Sequence, residues 1–205
     1  MKILTAVILL FFAISCNKNP NKKTITNTVN KYKLKPSDIG NDSIDINDSY
    51  YERMGGFWMY NDKKFTGTIT SYSPNGNIKK TFSVYKGKKE FSEKAYFNNG
   101  KLKYHYKYLN GKKEGVAFMW HNDSLNHLLS ETNYKNGKLH GTQKKWYATG
   151  QIFKIRNMKM GTEEGIQQAF RKNGALYSNY EAKNGRIFGL KKSELCFSLK
   201  NEEIE

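Results

Sequence analysis

The sequence predicts an all-β fold, an elongated single-layer antiparallel sheet made of stacked β-hairpins, and three observations predict it. Glycines recur in phase at Gly67, Gly115, Gly141, Gly165 and Gly189, with Phe91 in the remaining slot; the step is 24 residues and once 26. Two further glycine series, Gly87-Gly111-Gly137-Gly161-Gly185 and Gly76-Gly100-Gly150-Gly174, keep the same phase. A fixed period of this length marks a repeat architecture, in which each unit is one supersecondary element. Composition agrees: 14 Tyr and 12 Phe stand beside few small aliphatics, which suits covering a sheet better than filling a thick core.

Each unit reads as strand, turn, strand, turn. The first turns are Ser73-Pro74-Asn75-Gly76, Asn98-Asn99-Gly100, Ala148-Thr149-Gly150 and Asn173-Gly174. Asn-Gly pairs supply the positive φ that tight hairpins need. The second turns are Lys86-Gly87-Lys88, Asn110-Gly111-Lys112, Asn136-Gly137-Lys138 and Asn184-Gly185-Arg186. An aromatic closes each first strand, at Tyr72, Tyr96, Trp120, Trp146 and Phe170. On the return strand an aliphatic (Ile78, Leu102, Leu128, Ile152, Leu176) precedes Val84, Tyr108, Tyr134, Met158 and Ala182 by an even number of residues. Even spacing predicts that both series share one face. The two extra residues fall in His121–His127, a turn, where an insertion is tolerated.

The N-terminus carries a different message. Lys2 precedes an apolar run from Ile3 to Ile14 that is too short to span a bilayer, followed by small residues. Ala13-Ile14-Ser15-Cys16 resembles a bacterial lipobox. The resemblance implies removal of residues 1–15 as a signal peptide, lipidation at Cys16, and a membrane-anchored lipoprotein of the cell envelope. Asn17 rather than Asp after the cysteine points, among such lipoproteins, to the outer membrane. Residues 16–49 have linker composition, which predicts a flexible tether with a reach of ~30 Å. With Cys16 lipidated, Cys196 is left without an intrachain partner; its neighbours Leu195 and Phe197 favour a buried thiol over a redox or metal role.

The formal charge of +17 favours anionic partners: an anionic lipid surface or an acidic protein. An exported chain is not expected to meet nucleic acid. Units such as Gly111-Lys112-Lys113-Glu114-Gly115 and Gly137-Lys138-Leu139-His140-Gly141, each followed by an aromatic, resemble MORN repeats. They look closest to the bacterial variant labelled a YwqK-type antitoxin. The resemblance covers about Phe65 to Gly189, with a half-unit at Phe57 to Lys64, within a repeat domain of residues 50–189. It departs from the pattern at Phe91 and Ser124, where bulged units are expected. It implies binding or scaffolding, and the antitoxin label implies a partner toxin. Residues 190–205 are expected to cap the open edge, with Leu195–Lys200 as a final strand.

No catalytic elbow, zinc-protease helix, dinucleotide loop or P-loop occurs, so the chain is read as non-enzymatic with no cofactor and no metal. His105, His121, His127 and His140 occupy different repeat positions. Glu90, Glu114, His140 and Glu164 do form a column, one per repeat. Equivalent residues ~10 Å apart cannot converge on one ion, so this column is read as a solvated ladder. Two candidate surfaces remain. Lys88, Lys89, Lys112, Lys113, Lys138 and Arg186 are either soluble turns that discourage edge association or a strip for an anionic partner. Tyr72, Tyr96, Trp120, Trp146 and Phe170 are either the sheet's own cover or an outward platform for a ligand.

Overall fold

The computed structural model describes residues 34–190. Cys16 and its lipobox, the start of the tether, Cys196 and the expected strand at Leu195–Lys200 lie outside them.

After a 3-10 turn (Pro36–Ile39) come four short strands: β1 (Ser43–Asp45), β2 (Tyr51–Met54), β3 (Phe57–Tyr60) and β4 (Lys63–Lys64). The repeats follow as hairpins of an opening and a return strand. They are β5 (Gly67–Tyr72) with β6 (Ile78–Tyr85), and β7 (Lys88–Tyr96) with β8 (Leu102–Leu109). After β9 (Lys112–Lys113) comes β10 (Gly115–Trp120) with β11 (Leu128–Lys135). After β12 (Lys138–Leu139) comes β13 (Gly141–Trp146) with β14 (Ile152–Lys159). After β15 (Thr162–Glu163) come β16 (Gly165–Phe170), β17 (Leu176–Lys183) and β18 (Arg186–Leu190). The hairpins join into one long open sheet in chain order, antiparallel throughout except where β1 adds parallel to β5. The stacked-hairpin sheet expected from the glycine period is therefore the fold.

The same cross-loop hydrogen bond closes every hairpin. The N–H of Ser73, Phe97, His121, Tyr147 and Arg171 donates across the loop to the carbonyl of Asn77, Lys101, His127, Gln151 and Ala175. At His121 the loop is longer and its bond geometry is unchanged, so the insertion is absorbed without disturbing the strands. Positive φ at Asn110, Asn136 and Asn184, each followed by a positive-φ glycine, completes the second turns. Phe91 adopts φ +57 in the slot that glycine holds elsewhere. The β6–β7 register shifts near this point, so this unit is irregular as expected.

One expectation about faces is corrected. In every hairpin the register slips by one residue just before the aromatic, between Ser71/Tyr72, Ala95/Tyr96, Met119/Trp120, Lys145/Trp146 and Ala169/Phe170. A β-bulge of one residue inverts strand parity. Ile78 therefore pairs with Tyr72 while Val84 pairs with Gly67, and the two lie on opposite faces despite their even spacing. Val84, Met158 and Ala182 are buried, whereas Ile78 and Leu176 are exposed. We call the face of Val84, Tyr108, Tyr134 and Met158 the inner face and that of the aromatic row the outer face.

A second correction concerns residues 36–49, read from composition as tether. Ile44 and Ile46 pack against the core cluster of Phe65, Ile69, Phe82 and Val84, and Ile39 is buried. A short parallel strand covers the edge of β5, and the chain passes so close that a methyl group on Gly67 would lie 2.5 Å from the Asp42 carbonyl oxygen. Three isolated isoleucines suffice here because the sheet edge supplies the backbone partners, which composition does not reveal. The half-unit at Phe57 to Lys64 also finds a different place. With β2 it forms a separate three-stranded sheet, and Trp58, Tyr51 and Tyr60 pack over the core cluster.

Candidate functional site

The glutamate column is not a solvated ladder. Glu90 is 4% and Glu114 is 8% exposed. The Glu90 carboxylate accepts the N–H of Asn110 at 2.6 Å, and Glu114 accepts that of Asn136 at 2.7 Å. Thr66 Oγ1 and His140 Nδ1 serve the turns of Lys86 and Met160 in the same way. Each acceptor thus latches onto the second turn of the next unit, satisfying an N–H that would otherwise be orphaned. Burial raises the Glu90 carboxyl above its ordinary range, partly opposed by the Asn110 N–H and the Lys88 charge. Among the described residues no group of His, Cys, Asp or Glu is arranged to hold a metal ion. The histidines have unrelated partners: Ser92 for His105, the Trp146 carbonyl for His121, Asp123 for His127.

The basic residues of the second turns separate into two sets. Lys88, Lys112, Lys138 and Arg186 are exposed. The lysine turns stack one upon the next, since a methyl group on Gly111 would lie 3.8 Å from Lys88 Cβ and one on Gly137 3.7 Å from Lys112 Cβ; Thr162 takes the position in the following turn, before Arg186. Lys89 and Lys113, one residue on, turn instead onto the inner face. Lys113 Nζ sits 3.5 Å above the Tyr106 ring, and Lys89 Nζ lies 4.5 Å from Phe82 and 5.2 Å from Tyr108. Strand alternation dictates the split.

Lys89 belongs to a buried network. Glu93, 4% exposed, pairs with Lys89 and, at 3.1 Å, with Lys80, and accepts the Tyr104 hydroxyl at 3.1 Å. Burial alone would raise this carboxyl; the Lys89 hydrogen bond, the Lys89 and Lys80 charges and the Tyr108 hydroxyl outweigh it and hold it at about 2. Burial, with the Glu93 charge next, raises Tyr104 and Tyr108.

The aromatic row lies on the outer face. Tyr72, Tyr96, Trp120, Trp146 and Phe170 stand directly opposite Ile78, Leu102, Leu128, Ile152 and Leu176, as cross-strand aromatic–aliphatic pairs. Tyr72 is 45% exposed and the other four are half-buried.

Sequence reading missed a concave part of the inner face. A depression of about 420 Å³ lies across β10 to β14, lined by Met119, Tyr134, Leu139, Lys145, Lys154 and Arg156 among others. It opens because the return strand there carries Ser130 and Thr132 where the previous unit carries Tyr104 and Tyr106. Burial, with the Arg156 and Lys145 charges next, lowers Lys154, partly opposed by the Glu163 charge. Its residues share no motif; only the bulge-corrected parity assigns them to one face.

The family model described as a MORN repeat variant matches residues 65–86 and 139–160, one spanning the first hairpin and the other the β12–β14 unit. No curated protein matches the chain. The described sheet thus carries repeats similar to this variant, and with them the repeat-scaffold or binding role the match supports.

Proposed function

We propose that the chain is a membrane-anchored, non-catalytic repeat scaffold of the cell envelope, which uses its basic turns to hold an anionic partner. The supporting observation is the exposed row of Lys88, Lys112 and Lys138 at one position of three successive turns, with Arg186 at the same position two turns further on and Thr162 between. The three lysines present one charge per unit at a spacing of ~10 Å, set by two strands. That is comparable with the Debye length at physiological salt, so an extended anionic surface meets the row as a field and not as separate charges. The lipobox-like Ala13-Ile14-Ser15-Cys16 supplies the anchor in this reading.

Two measurements test it. Replacing Cys16 by Ser should move the chain from the membrane to the soluble fraction. Replacing Lys88, Lys112 and Lys138 together by Gln should abolish salt-sensitive binding of the chain to phosphatidylglycerol vesicles. Unchanged fractionation refutes the anchor, and unchanged vesicle binding refutes the strip. Recovery of a single stoichiometric toxin from envelope extract would instead favour the antitoxin reading.

A further inference from the structure

We propose that the inner-face depression between β10 and β14 binds an acidic peptide segment of a protein partner, with a carboxylate seated between Lys145 and Lys154 and an apolar neighbour against Met119, Tyr134 and Leu139. This deepens the binding reading above but involves none of the turn-row lysines, so each can fail without the other.

Lys145 and Lys154 stand directly opposite each other across β13 and β14. Like charges in that arrangement, with Cβ atoms ~5 Å apart, destabilise a sheet. Arg156 lies two residues along the same face and is tied to Glu163 at 2.9 Å, whose other oxygen accepts the Tyr180 hydroxyl. No carboxylate lies within 4 Å of Lys145 or Lys154 among the described residues.

The equivalent place three units earlier shows what is missing. Lys80 occupies in the first hairpin the position of Lys154, and the next opening strand offers it Glu93. The residue facing Lys154 from the corresponding position is Gln167, which is neutral and already committed. Its Oε1 accepts the Asn157 N–H at 3.1 Å, and its Nε2 donates to the Asn157 and Gly165 carbonyls. Gln143 makes the same clamp on Asn133. The fold therefore repeats the lysine and omits its acid, leaving two adjacent ammonium groups in a hollow where the nearest opposing charge, Glu163, is already paired with Arg156.

The surroundings favour a peptide over a lipid headgroup. The depression is lined by the short side chains of Ser130 and Thr132, with the Tyr104–Tyr106 ring pair and Lys113 on the strand pair to one side and the Tyr180–Glu163 hydrogen bond on the other. An extended chain can lie in such a trough. A bilayer, being flat, contacts its rim.

The probe is an acetylated, amidated octapeptide alternating glutamate and leucine, titrated into the full chain by calorimetry, with a glutamine–leucine counterpart as control. The acidic peptide should bind at least tenfold more tightly than the control and weaken as salt rises. Lys154→Gln should cost about tenfold, the equivalent of one lost charge pair. Lys145→Glu, at an exposed position, supplies the absent carboxylate internally and should abolish binding while leaving the fold intact by circular dichroism; Lys88→Gln should leave it unchanged. No binding at millimolar peptide, or equal binding by the Lys154→Gln and Lys145→Glu chains, overturns the proposal. So does transfer of the Lys154→Gln effect to phosphatidylglycerol vesicles or to inorganic phosphate, either of which would make the site a headgroup or phosphate site.

Discussion

Replacing Glu93 by Gln tests the buried network of the second repeat. The carboxyl is held at about 2 against an ordinary 4.5, and the residue is 4% exposed, so solvent screening takes little from the effect. At ~1.4 kcal/mol per pH unit, this amounts to ~3 kcal/mol of stability at neutral pH. The sign follows from the direction: a depressed carboxyl contributes fully above its unfolded value, and the contribution is lost as pH falls from 4.5 towards 2. Glu93→Gln removes the charge, keeps an acceptor for Tyr104, and leaves Lys89 buried without its partner, so the loss at pH 7 should be ~3 kcal/mol or more. That is a sizeable part of the ~5–15 kcal/mol of an ordinary domain. Urea is the right denaturant, since guanidinium would screen the pair. Because stability in a repeat stack is a sum of local units and interfaces, exchange of the β7 and β8 amides should accompany the global measurement. The gap between parent and variant should be wide at pH 7 and fall to roughly a quarter of that at pH 2.5. A gap of equal size at both values would show that packing, and not charge, carries the effect.

Other outcomes are equally specific. Glu90→Gln keeps the turn acceptor and removes a buried charge whose carboxyl is raised, so it should be neutral or stabilising at pH 7, while Glu90→Ala should cost ~1–3 kcal/mol in urea unfolding. Because that carboxyl is raised, its contribution is greatest in acid and is lost as pH rises through the folded value, the reverse of Glu93. Gly67→Ala should be far more destabilising in thermal unfolding than Gly141→Ala. The first drives a methyl into the Asp42 carbonyl, whereas the second meets only Asn133 Cβ at 3.8 Å and bears ~1 kcal/mol for its positive φ. Gln167→Ala should expose the Asn157 N–H and C=O and speed hydrogen exchange in β14 and β16 without unfolding the first hairpins.

The period of the fold was readable because glycine and Asn-Gly turns are imposed by backbone conformation, which no neighbouring chain can override. The positions of Gly76, Gly100, Gly150 and Gly174 follow directly from that constraint. The faces were harder. Parity counting from Ile78 to Val84 is sound for an unbroken strand, but the bulge at each aromatic has no marker residue of its own; it shows only as a slip in pairing. The inner-face depression depends on that slip, so Lys145, Lys154 and Arg156 could not be grouped beforehand. The glutamate latch was visible as a column and misjudged as solvated, because spacing between equivalent residues says nothing about the turn of the next unit lying above each one. Ile39, Ile44 and Ile46 were lost in a polar stretch for a related reason: an edge strand borrows its partners from the sheet and needs little apolar content of its own.

The bulge also bears on how one chain can keep two kinds of surface apart. With a slip in every hairpin, the half of each return strand near the first turn and the half near the second turn present opposite parity to the same face. Substitutions near the aromatic therefore act on the outer face, and those near the second turn on the inner face, although the two are separated by few residues. The inner face is free to vary from an apolar floor at Val84, through the ion network at Glu93, to an unneutralised pair at Lys145 and Lys154, while the outer aromatic–aliphatic pairs hold the register unchanged. Deleting Phe153, the unpaired residue of the bulge, would join Ile152 directly to Lys154 and leave both opposite their present partners, Trp146 and Lys145. The unit should therefore keep its exchange protection and lose only the contact of the Phe153 ring with Tyr147, and loss of protection across β13 and β14 would show that the bulge itself, and not the pairing, holds the two faces apart.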